Sequence, residues 1–464
     1  MTNPIQASRR WPDWLTFSIA GAPALAFYWL LLKSVGNLPV VDDYHSVLDF
    51  VNRFSQMPDL GSRLSYIVNF QHNEYKLMLE SAIFAAQHQW FGGVDFAILS
   101  MLGNSFVLLI FALLASAFRI STQSNATRVL LLLPVGLMLF QLQYASTLNF
   151  SMAGLQNIPV LAFALLALML LVDESPVRFA GACLAMLLAI AASGSGFLLA
   201  PVGALMLAER RRWKHAAAWL AVTAAIAFVY FGHYEVHTAH ASPPGAEAKS
   251  AAHFDVVYML AFLGSSVARY QGYLPSVGVG IAILVVWAFA ARAGYSRENP
   301  AIFYFCIFLL LTAAGVSAIR SGLGIEQSLA SRYRIYSNLL LILSYVFFVE
   351  RYLLSMKDVR RRRAIVGVLV ACGLAFCVLS DIAGYRFLKG RQQAVAYAMA
   401  VWKSSNSTAA SDPHSPASLS LDPAVSRQLA SGLYTPATAT LKESMRLGVY
   451  QPFEQVGPAE AGTH

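Results

Sequence analysis

The run VDFAILSMLGNSFVLLIFALLASAF, Val94 to Phe118, decides the fold. Roughly 20 apolar residues in helical geometry cross the hydrocarbon core of a bilayer, and this run has that length with some to spare. Outward from it the same signal recurs, at Trp14–Val35, Val129–Ala145, Leu155–Val172, Phe179–Ala192, Gly196–Ala208, Ala216–Tyr234, Pro275–Ala291, Ala301–Ile319, Ile335–Val349 and Ala364–Ile382. The segments within 179–208 are short and divided by Ser193-Gly194-Ser195-Gly196, so they read as two spans or as one hairpin that does not fully cross. The expected fold class is an all-α polytopic membrane protein with about 10–11 transmembrane helices.

Composition agrees. The chain has 464 residues, of which 57% are hydrophobic and 12% charged, and its mean hydropathy is +0.55. Soluble domains carry about 25% charged residues, so a water-soluble reading is excluded. A net charge of +9 would suggest a nucleic-acid partner in a soluble protein. In a membrane protein the excess belongs to cytoplasmic loops that fix orientation and touch anionic lipid, and no nucleic acid is expected. Cys183, Cys306, Cys372 and Cys377 all lie in apolar runs, which gives neither a disulfide framework nor a CxxC metal site. The first apolar stretch is too long for a signal-peptide core and shows no small-residue cleavage site, so it reads as a retained span.

Orientation follows from Lys and Arg in short loops. With the N-terminus inside, the inner segments hold Arg9, Arg10, Arg119, Arg128, Arg178, Arg210–Arg212, Lys214, Arg292, Arg297, Arg351, Lys357 and Arg360–Arg363, 17 of the 33 basic residues. The expected placement is a bacterial inner (cytoplasmic) membrane, N-terminus cytoplasmic and C-terminus periplasmic. Residues 1–382 then form the transmembrane domain. A long first outer loop, 36–93, contains interfacial helices, one at Lys76–Phe91 with Glu80, Gln87 and His88 among its apolar positions. A second outer loop, Glu235–Leu274, offers another at His253–Leu263. Residues 383–464 read as a periplasmic C-terminal tail, partly disordered through the Ser/Ala/Pro-rich stretch Ser404–Ser420. No internal repeat is visible, contrary to transporters built from inverted repeats.

Four outer clusters carry the chemistry. Asp42-Asp43, followed by Tyr44, stands just beyond the first span. Its bland reading is a solvated loop start or an N-cap for a helix Tyr44–Phe54. Its functional reading is a carboxylate that deprotonates an acceptor, the neighbour tuning its pKa or holding a divalent cation. His72, Glu74 and Lys76 form the second cluster, read as an interfacial salt bridge or as phosphate contact and polar positioning; His72 lacks a second ligand at zinc spacing. Arg320, Arg332 and Arg334, with Tyr333, gather in one short outer loop against the inside bias for positive charge. Snorkelling to lipid explains them, and so does a clamp for a phosphorylated ligand, since guanidinium grips phosphate in a bidentate fork. Arg269, beside Tyr270 and Tyr273, is a candidate fourth contact. The Ser193–Gly196 break is explained by close packing of small residues, Arg360–Arg363 by a topological anchor, and His233, His237 and His240 lack the companions of a metal site.

This layout resembles the GT-C class of polytopic glycosyltransferases, which includes the lipid A aminoarabinose transferases and the protein O-mannosyltransferases. The resemblance rests on Asp42-Asp43 after the first span, interfacial helices in a long first outer loop, and Arg332-Tyr333 opening a late span. Ser193-Gly194-Ser195-Gly196-Phe197 with Pro201, ahead of a basic turn, adds to it. It covers most of Trp14–Ile382. It implies transfer of a sugar from a polyprenyl-phosphate donor to a glycan, lipid or protein acceptor on the periplasmic side. On that basis Asp42 or Asp43 is the base, and Arg332, with Arg320 and Lys76, holds the lipid phosphate. The chain departs from larger members in lacking a substantial folded C-terminal domain. Rival readings are a surface-polysaccharide polymerase or ligase, a transporter or flippase without chemistry, and a membrane scaffold. Polymerases keep their large loop late in the chain, and transporters concentrate ionisable residues near the midplane.

Overall fold

The structure, a computed structural model, describes residues 13–235, 253–268, 272–406, 423–430 and 433–452. It is helical almost throughout; its one sheet is the two-stranded antiparallel hairpin Gln71–His72 with Tyr75–Lys76. Seven helices among the described residues are long and apolar enough to cross a membrane: Phe96–Ala117, Asn125–Leu148, Ser151–Leu171, Trp213–Phe231, Leu274–Arg292, Pro300–Leu323 and Val359–Ser405. An eighth forms if Trp14–Ala20 and Pro23–Leu32, bent by 59° where Pro23 removes a backbone donor, count as one span. By length and hydropathy these are fewer than the ten or eleven spans expected, and the other apolar segments are shorter or broken. Pro176–Ala192 and Gly194–Glu209 are shorter apolar helices, broken at Gly194–Leu198, and Arg334–Phe348 has 15 residues before it runs on as the π-turn Val349–Leu353.

Two polar layers cap the helical slab. At one end, the connections that carry most of the loop arginines bind one another. Glu350 accepts from the Arg119 backbone N–H at 2.8 Å, from the Tyr295 hydroxyl at 2.8 Å and from Asn299 Nδ2. Glu209 accepts from the Tyr304 hydroxyl at 2.6 Å and from Ser296 at 2.8 Å. Arg351 pairs with Glu298 at 3.1 Å, and Arg212 donates to the carbonyls of Leu171 and Asp173. Loops distant in sequence but sharing a parity in the chain's up-and-down course therefore meet on one face.

The other end is thicker, with apolar cores of its own. Tyr44, Val47, Phe50, Phe54, Phe84 and Phe96 from the first loop and its flank pack with Met399, Leu441, Val449 and Tyr450. Val40 packs with Ala394, Val395, Val425 and Tyr434. Phe50 stacks on Tyr66 with ring centroids 5.1 Å apart, and Val94 N–H donates to the Val449 carbonyl at 2.9 Å. What reads as a tail is thus joined to the first loop at 423–430 and 433–452. A boundary at Ile382 falls inside Val359–Asn406, a single helix of 48 residues. At 1.5 Å per residue it measures about 70 Å, more than twice the hydrocarbon thickness. It is pinned along segment 140–149: Asp381 accepts the Leu142 N–H at 2.8 Å, and Arg391 donates to Asn149 Oδ1 at 2.9 Å. Between them Gly384 lies so close that any Cβ would run into the Leu142 carbonyl.

Helix Met78–Phe91 turns a polar side to the protein interior. Its 14 residues are too few to span, yet Glu80, Ser81 and Gln87 face inward while Trp90 and Phe91 are exposed. Polar residues on this helix serve the interior.

Candidate functional site

The acidic pair divides. Val41 holds a φ of 52°, a left-handed conformation that costs a β-branched residue about 1–2 kcal/mol. The turn it makes sends its two followers in different directions. Asp43 is buried, with 1% of its surface exposed. Its Oδ2 accepts the N–H groups of Val40 at 3.1 Å and Ser151 at 3.4 Å, and its Oδ1 accepts that of Met152 at 3.0 Å. The N-cap expected of this pair exists, but on a different helix. Asp43 caps Ser151–Asn157, whose own N-cap residue, Phe150, has no side-chain acceptor, while the chain after Asp43 enters a π-turn, Tyr44–Leu48, without a side-chain cap. Burial pushes the Asp43 carboxyl up to about 7, against the pull of its three N–H donors. Tyr44 is buried in the outer core beside it, and burial raises its hydroxyl.

Asp42 remains open. Its side chain is 43% exposed, and its Oδ1 lies 3.9 Å from His72 Nε2. His72 belongs to hairpin 71–76, where it pairs with Tyr75; Asn73, at φ 52°, makes the turn, a conformation Asn tolerates. Tyr234 anchors the hairpin by donating its hydroxyl to the Glu74 carbonyl at 2.8 Å.

Arg320 meets the hairpin turn. Its Nη2 reaches Glu74 Oε1 at 2.6 Å and also the Tyr75 hydroxyl. Burial raises that hydroxyl to about 12, while Arg320 and Arg332 both pull it down. The same two guanidinium groups act on Tyr258, whose buried hydroxyl has no hydrogen-bond partner among the described residues. Arg332 lies over the Tyr333 ring, 5.0 Å from its centroid, and is 3.4 Å from Gln327 Oε1. No carboxylate among the described residues pairs with it. Tyr333 packs on Phe262, centroids 4.8 Å apart.

The two remaining cations lie elsewhere. Arg334 lines a cavity of about 470 Å3 with Gln143, Glu326, Ser331, Gly384 and Phe387. Lys76 leaves the other face of the hairpin strand and is buried, its Nζ 3.4 Å from Asn69 Oδ1 and 5.7 Å from the Tyr230 ring centroid. Burial lowers its pKa. Near Tyr230 lies Glu80, fully buried, both carboxylate oxygens without a hydrogen-bond partner among the described residues; burial raises its pKa well above the usual carboxylate range. Gly194, in the Ser193–Gly196 break, approaches the Tyr230 hydroxyl. Arg269, Tyr270, His237 and His240 fall outside the described residues.

Of the residues singled out from sequence, the structure gathers Asp42, His72, Glu74, Arg320, Arg332 and Tyr333 around one hairpin. It assigns Asp43 and Tyr44 to the scaffold, turns Lys76 inward and gives Arg334 a neighbouring cavity. Tyr75, Tyr258 and Glu80 are additions. Tyr75 and Tyr258 carried only the weak signal that a Tyr in apolar surroundings needs a partner for its hydroxyl; Glu80 on an apolar helix had the same kind of signal. No group of three or more His, Cys, Asp or Glu residues able to hold a metal ion occurs among the described residues. No family model, curated protein or solved structure matches the chain.

Proposed function

We propose that this protein is a membrane glycosyltransferase that moves a sugar from a polyprenyl-phosphate donor to an acceptor glycan, lipid or protein. The reading is carried by one observation: hairpin 71–76 has an exposed carboxylate, Asp42, beside His72 and two guanidinium groups around Tyr75. In the proposed step Asp42 takes the proton of the acceptor hydroxyl as its oxygen attacks the anomeric carbon. The bond from that carbon to the phosphate oxygen breaks, and the polyprenyl phosphate leaves with the electron pair. Arg332, which pairs with no carboxylate among the described residues, and Arg320 stabilise the charge that develops there. His72 positions the Asp42 carboxylate. The orphaned Tyr258 hydroxyl is a donor for a sugar or phosphate oxygen.

The GT-C layout expected from the sequence stays part of this proposal, as does its setting. The loop-arginine face is cytoplasmic by the positive-inside rule, so the hairpin faces the periplasm of a bacterial inner membrane. The test is transfer by the full chain in liposomes, with a panel of polyprenyl-phosphate sugars and envelope acceptors. Asp42→Asn abolishes turnover and leaves donor binding intact, whereas Arg332→Ala weakens donor binding. Full turnover by Asp42→Asn removes the carboxylate mechanism.

A further inference from the structure

Helix Arg334–Phe348 begins at the candidate site and continues through a π-turn, Val349–Leu353. With 20 residues between Arg334 and Leu353, its far end lies about 30 Å away, on the face where the loop arginines bind one another. There it meets the start of the helix Asn125–Leu139 and the start of Val359–Asn406. The three ends enclose a groove of about 370 Å3, within the size range of ligand sites. Its floor is apolar: Leu131 and Leu353 are buried, Val366 joins them from the last helix, and Leu130 stands 48% exposed at the edge. Its rim is Arg362 and Arg363.

Neither rim arginine forms an ion pair with a carboxylate among the described residues. The nearest acid in sequence, Asp358, is occupied: its Oδ1 accepts the backbone N–H groups of Arg360 and Arg361 at 2.9 and 3.1 Å. Four consecutive arginines thus stand in the first turns of a helix whose N-terminal end already carries partial positive charge. The same helix exposes Val368 and Leu374, so the groove is flanked by a surface suited to hydrocarbon. An occupant that fits is anionic at one end and apolar along the rest. A free phosphate leaves the floor empty, and a lipid without net negative charge, such as a zwitterionic one whose ammonium faces the same arginines, leaves the guanidinium charge uncompensated. Basic pockets between membrane helices take acidic head groups in this way.

We propose that this groove binds an anionic phospholipid, its phosphate gripped by Arg362 and Arg363 and one acyl chain laid along Leu131, Leu353 and Val366. This site is separate from the hairpin and does not depend on the activity proposed for it. The role of the arginine run as an orientation signal is also served by loose contact with a membrane surface. The groove adds a fixed stoichiometry and a head-group preference.

The experiment is native mass spectrometry of the full chain in micelles supplied with phosphatidylglycerol or phosphatidylcholine. The wild type retains one phosphatidylglycerol about tenfold more than phosphatidylcholine, as charge-assisted contacts imply. Arg362→Gln with Arg363→Gln removes that preference. Arg360→Gln with Arg361→Gln deletes the same charge beside the groove and keeps it. Gly367→Leu is the second arm: Gly367 also lines the groove and a Cβ there meets nothing within 4 Å, so the variant folds, keeps every arginine and takes up space in the groove, and retention falls. Equal losses in the two arginine pairs, unchanged retention in Gly367→Leu, or displacement of the lipid by inorganic phosphate alone would each overturn the proposal.

Discussion

Asp42 and Asp43 are neighbours with opposite duties, and substituting them separately tests that division. Replacing Asp43 with Ala removes a single acceptor group that serves Val40, Ser151 and Met152 at 3.1, 3.4 and 3.0 Å. Each buried N–H left without a partner costs about 1–3 kcal/mol, so the floor for three is about 3 kcal/mol, a large part of a typical folding free energy of about 5–15 kcal/mol. The loss falls on the start of Ser151–Asn157 and on the turn at Val41. Asp42→Asn removes only an exposed charge 3.9 Å from an imidazole, worth less than about 0.5 kcal/mol at such a surface site. Thermal unfolding in detergent, followed by tryptophan fluorescence, reads the first quantity, and sugar transfer in liposomes reads the second. Asp43→Ala melts well below the wild type, while Asp42→Asn melts with it and does not turn over. An Asp43→Ala protein as stable as the wild type, or a destabilised Asp42→Asn, refutes the assignment.

Other expectations can be checked alongside. Burial holds the folded-state pKa of Asp43 and of Glu80 above the unfolded carboxylate values, so the folded chain keeps protons that the unfolded chain has released. Stability therefore falls as pH rises from about 4, the Asp43 share levelling off above about 7; Asp43→Asn or Glu80→Gln flattens part of that slope in unfolding series from pH 5 to 8. Gly384→Ala drives a methyl into the Leu142 carbonyl, costing about 1–3 kcal/mol and distorting the cavity it shares with Arg334, which melting curves and donor affinity both report. Arg320→Lys keeps the charge but loses the planar fork that reaches Glu74 and the Tyr75 hydroxyl together; donor binding weakens and protease cleavage near Asn73 increases, whereas unchanged values in both would exclude a tether.

Much of the slab was legible because a bilayer imposes length and hydropathy on whatever crosses it. Val94–Phe118 needs no partner to be recognised, and the Ser193–Gly196 break announces itself by composition. Loop parity was legible too, since Arg119, Glu209, Glu298 and Glu350 meet where alternating spans must bring them. What escaped is non-local. Asp43 caps a helix 108 positions downstream, and an aspartate looks the same whichever N-terminus it serves. Glu80 and Gln87 lie buried on a helix whose exposed residues include Trp90 and Phe91, so the side on which the polar residues act could not be read from polarity alone. The segment 433–452 is polar and short of strong pattern; it is held by Leu441, Val449 and Tyr450, whose partners lie some four hundred residues earlier. Within the candidate site, the arginines stood out by violating a topological bias, whereas Tyr75 and Tyr258 violated none.

The interlock between the first loop and residues 433–452 constrains how the protein is made. Phe50, Phe84 and Phe96 leave the ribosome more than three hundred residues before Leu441, Val449 and Tyr450, against which they pack. Until residues 433–452 are translated and delivered to the same side, those aromatics lack that lid. Nascent chains therefore carry a sticky surface over that interval, and a stop codon placed before residue 433 leaves it uncovered for good, a natural substrate for quality-control proteases.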